Sequence, residues 1–164
     1  MHNLSLPEKP VLGVISNLPL DTGAGGIMAA MRGQSQPFLI YAELTDRFEV
    51  EFVQDDSVKL ANNVDVLLLA HPRALGDIQA YAVDQFIMRG GRVLAFLDPQ
   101  SEVSLTAGPN GQPLKGYTEQ SALPRFMGPW GVRLDANQII ADRKRAQRVA
   151  AGRDARRALT DYIL

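Results

Sequence analysis

Residues 64–100 read VDVLLLAHPRALGDIQAYAVDQFIMRGGRVLAFLDPQ, and this stretch restricts the possible folds more than any other part of the chain. Val64 to Ala70 and Arg92 to Leu97 are short, almost wholly apolar runs rich in Val and Leu, which suits strands covered on both faces. Between them Leu75, Ile78, Tyr81, Ala82, Gln85 and Phe86 recur at helical spacing, and Asp77 falls in the first turn, where a carboxylate complements the helix dipole. Gly90 and Gly91 stop the helix close to Arg89, because glycine accepts the left-handed conformation a helix end commonly needs. A strand, helix and strand of this length form a crossover between parallel strands, which is right-handed almost without exception. Each strand ends in a polar residue followed by proline, His71-Pro72 and Asp98-Pro99. Open parallel sheets bind ligands beyond the carboxyl ends of their strands, so His71 and Asp98 are predicted to share one rim.

The rest of the chain extends this unit. Pro10 to Asn17 (PVLGVISN) reads as a first, central strand, and LPLDTGAGGIMAAMRGQSQ after it is a long loop with no sustained period. Pro37 to Arg47 reads as a helix with Phe38, Ile40, Tyr41, Leu44 and Phe48 near one face and proline in the first turn. Phe48 to Val53 (FEVEFV) alternates apolar and acidic residues, the pattern of a half-covered edge strand. Residues 101–118, rich in Gly, Pro, Asn and Ser, read as a loop or a hairpin around Asn110-Gly111. SALPRFMGPW then reads as a short helix ended by Gly128 and Pro129, GVRL and NQII as one or two short strands, and the last segment as a basic helix of poor amphipathicity.

This order predicts an α/β fold: an open, doubly wound, mainly parallel sheet of flavodoxin-like type, helices on both faces, strand order 2-1-3-4-5. Asn17 and His71 would flank its switch point. The predicted organisation is a disordered start over residues 1–9, one domain over 10–141, and a basic tail over 142–164.

Charge is divided along that plan. Residues 1–141 hold 10 Lys and Arg against 15 Asp and Glu, while residues 142–164 hold 7 against 3. A solvated helix face accounts for the basic run better than a nucleic-acid patch, since Asp142 and Asp154 interrupt it and aromatics are absent. The lack of cysteine excludes disulfides, thiolate nucleophiles and cysteine-ligated metals. No run reaches the ~20 apolar residues of a membrane span, and MHNLSLPEKP lacks a signal-peptide core.

The combination HPRALGDIQAYAVDQFIMRGGRVLAFLDP, together with PVLGVISNLPL before it and FMGPWGVRLDANQIIADR after it, resembles the GldG-like auxiliary component of ABC-type transport systems, the gliding-motility-associated family. The resemblance spans most of residues 10–145. It implies a soluble, non-catalytic α/β domain, similar to one in intraflagellar-transport and oligosaccharyltransferase subunits. It also implies a longer, membrane-anchored bacterial parent chain, with this domain outside the inner membrane, on the periplasmic side, and residues 142–164 ending at a truncated boundary. The partners it implies are other subunits of the transporter, with a carbohydrate or peptide as ligand.

The residues themselves leave two functions open. His71 could act as a general base oriented by Asp98, with Asp21 as a third member, in a small hydrolase or transferase. Against this, no G-x-S-x-G elbow supplies a nucleophile, so His71 and Asp98 can equally cap their own loops. The first reading to test is therefore a binding rim formed by Asn17, Asp21, His71, Arg73, Asp98 and Gln100, without catalysis. The glycines of GAGGIMAAMRG match neither dinucleotide nor P-loop spacing, and no metal-ligand spacing occurs, so neither cofactor nor metal is expected. Tyr117 and Trp130 could stack on a sugar or peptide, or cover a core edge. The oligomeric state stays open.

Overall fold

The computed structural model describes residues 8–53, 60, 62–106, 108, 112–113, 120–139, 144, 147–150 and 159–162. Four strands, β1 (Val11–Ser16), β2 (Glu49–Phe52), β3 (Val66–Ala70) and β4 (Arg92–Phe96), form one parallel sheet in the order β2-β1-β3-β4. These are the first four positions of the expected order, with FEVEFV at one edge as its alternation requires. Asp65 secures the open end of the central strand: its carboxylate accepts the Val11 N–H at 2.8 Å, and its own N–H donates to the Val11 carbonyl at 3.0 Å.

Strand alternation divides the core between the two faces. Val11 and Ile15 of β1 lie with Leu67 and Leu69 of β3 on one face, against Ala80, Ala82, Val83 and Phe86 of helix α3 (Asp77–Met88). Leu12, Val14 and Leu68 lie on the other, against Phe38, Tyr41, Leu44 and Phe48 in and around helix α2 (Leu39–Arg47). The near-continuous apolar runs of β1 and β3 thus follow from helices on both sides. Helix α3 ends as its sequence predicts, with Arg89 as C-cap and Gly90 at φ 86. Gly91 is needed for a different reason: a Cβ there would overlap the Phe86 ring and stand 2.6 Å from the Phe86 carbonyl oxygen.

Several expectations are corrected. The buried face of α3 runs through Gln79, Ala80, Ala82, Val83 and Phe86, while Ile78 and Tyr81, read as core-facing, are exposed. Ala82 and Phe86 face inward as read, and Gln79, Ala80 and Val83 join them in place of Ile78 and Tyr81, the two alanines letting the helix sit close to the sheet. The loop after β1 contains helix α1 (Gly26–Met31), of which only Gly26 is buried; a helix that packs so little apolar surface leaves no period to read. The segment after β4 holds helix α4 (Glu102–Thr106) rather than only loop, while the hairpin expected at Asn110-Gly111 lies outside the described residues. Helix α5 (Pro124–Met127) ends at Gly128 as expected. GVRL and the described part of NQII form no strand: Gly131 turns the chain at φ 69, and Val132 is exposed. The tail read as helical instead contributes an antiparallel pair, β5 (Gln147–Ala150) with β6 (Leu159–Tyr162), separate from the main sheet. Residues 1–7 of the expected disordered start lie outside the described residues, whereas Lys9 donates to the Thr45 carbonyl at 2.8 Å.

Candidate binding cleft at the strand ends

The carboxyl ends of β1, β3 and β4 are laced together by their backbones. Asn17 N–H donates to the His71 carbonyl at 3.2 Å, and His71 N–H donates to the Phe96 carbonyl at 2.9 Å. Asn17 and His71 therefore meet at the switch point, as the topology requires, and both are buried. His71 leaves its strand at φ 47, a left-handed conformation that costs a non-glycine residue roughly 1–2 kcal/mol. Its ring is held under the loop that follows β4: Nε2 lies 3.5 Å from the Ser104 hydroxyl, which donates to Ser101 Oγ at 3.2 Å. Ser101 in turn accepts the Ser104 N–H at 3.3 Å, capping α4.

Asp98 serves its own loop. Its Oδ1 accepts the Gln100 N–H at 2.8 Å, and its backbone is pinned by Ser121, whose hydroxyl accepts the Asp98 N–H at 2.7 Å while its N–H donates to the Asp98 carbonyl at 2.9 Å. This is the loop-capping role open to an aspartate before proline.

Beside these strand ends lies a cleft of about 980 Å³, at the upper end of the size range of small-molecule sites. Its floor is Leu68, Ala70, Leu94 and Phe96, one wall is Ile40 and Leu44 of α2, and Leu18, Leu20 and Val103 close the rim. His71, Asp98, Gln100, Ser101 and Glu102 supply its polar groups. The floor is open because α2 covers β1 and β2 but not β4: Leu94 is 52% and Phe96 60% exposed. Leu94 pairs with Leu68 and Phe96 with Ala70, which places both on the α2 face of the sheet.

Of the six residues expected at the rim, His71, Asp98 and Gln100 line the cleft. Asn17 is joined to it through the His71 backbone, and Asp21 and Arg73 are exposed and absent from its lining. The sequence reading missed Ser101 and Ser104, although Ser-Glu before Val103 and Leu105 carries the signal of a capped helix start. Trp130 stacks on Phe126 with ring centroids 5.2 Å apart, covering a core edge; Tyr117 lies outside the described residues. A second, polar cleft of about 350 Å³ lies at the opposite ends of the strands, around Asp65 and Arg89. Among the described residues no group of three or more His, Asp or Glu side chains stands together as a metal site, and no helix is long and apolar enough to cross a membrane.

Residues 9–164 match a protein family described as an ABC-type uncharacterized transport system. No curated protein and no solved structure matches the chain.

Proposed function

The chain belongs to this family of auxiliary components of ABC-type transport systems, and on that premise we propose that it is a non-catalytic binding domain whose cleft receives a partner of the transport complex. The observation that carries this reading is the apolar floor of the cleft, Leu68, Ala70, Leu94 and Phe96, left bare beside a histidine seated against the loop after β4 and an aspartate held by its own loop. Contiguous exposed apolar surface of this kind marks interaction sites. The GldG-like resemblance supports a location outside the bacterial inner membrane, with the parent chain anchored in it. A protein partner fits the cleft better than a glycan, because sugar recognition needs more hydrogen-bonding groups than this floor presents.

A second reading has one observation in its favour. The Ser104 hydroxyl near His71 Nε2 provides the hydroxyl that a hydrolase would need and that the sequence motifs lack. Ser104 is 2% exposed, however, and the Asp98 carboxylate is taken up by Gln100 N–H, so neither is poised for substrate. The two readings separate in one experiment. Incubating the purified chain with a fluorophosphonate probe and with ester substrates should give neither labelling at Ser104 nor turnover; robust turnover abolished by His71→Ala would overturn the binding reading. In cells, Phe96→Asp should reduce co-purification of the chain with the ATP-binding and membrane subunits of its transporter, while His71→Ala should not abolish transport chemistry.

A further inference from the structure

We draw no further inference here: the strongest candidate, the apolar cleft floored by Leu94 and Phe96 of β4, belongs to the site already described, and nothing in the structure shows what covers it.

Discussion

His71 is the residue on which the rim is organised, and its backbone explains why a side chain stands where glycine would be conformationally easier. Its left-handed φ of 47 is held by two backbone hydrogen bonds that join three strand ends and by the ring's seat at Ser104. His71→Asn should be tolerated better than His71→Val, because asparagine visits this region and a β-branched residue resists it. Urea denaturation should place the valine variant about 1–2 kcal/mol below the asparagine variant. Gly91 offers an independent test of local packing. Gly91→Ala pushes a methyl group into the Phe86 ring and carbonyl, and should cost about 1–3 kcal/mol. Both residues were visible in the sequence, His71 by its place before proline at a strand end and Gly91 within the helix stop. What was not visible was that the histidine would meet a buried serine rather than Asp98. That pairing depends on how the loop after β4 folds back, and one turn of helix with few apolar residues announces itself poorly.

At the scale of elements, legibility followed burial. β1, β3 and α3 each bury a continuous or periodic set of side chains, so their patterns survive in the sequence, and β2 shows its edge position in the alternating Glu49 and Glu51. Helices α1 and α4 are too short to complete two apolar turns, and the β5 and β6 pair replaced an expected helix in a segment with no strong period of either kind. β4 carries a sharper consequence. His71 N–H donates to the Phe96 carbonyl, so the backbone groups of Phe96 and Leu94 face β3, and by alternation those of Ala95 face the open edge. Ala95→Pro should therefore change stability by less than about 1 kcal/mol, since proline is accepted on an edge strand where its missing N–H faced outward. Leu94→Pro removes a ladder bond and should cost about 3 kcal/mol or more. Thermal unfolding of the two variants reads the difference directly.

For the whole molecule, the order β2-β1-β3-β4 and the covering of both faces of β1 and β3 were legible because parallel strands, crossovers and strand-end ligand sites leave few topologies to choose from. The place of the cleft was legible for the same reason. Its apolar character was not, because β4 reads as a strand covered on both sides, and the structure leaves Leu94 and Phe96 exposed. The predicted fifth strand failed at Gly131, and β4 remains an edge among the described residues. A chain built in this way should be more stable with its partner than alone, by mass action on the folded state. The unbound chain should also bind a hydrophobic dye, and Leu94→Asp with Phe96→Asp should reduce the dye's fluorescence severalfold.

If the open face of β4 is the surface by which this domain joins its transport complex, a transporter subunit stands beside Phe96 in the assembled complex. Placing a photoreactive amino acid at position 96, and at position 81 as the control on the opposite face, tests it in intact cells. Irradiation should give a crosslink to a transporter subunit from position 96 and none from position 81. Crosslinks from position 81 alone, or none from position 96 while the complex is assembled, would rule out the open face of β4 as that surface.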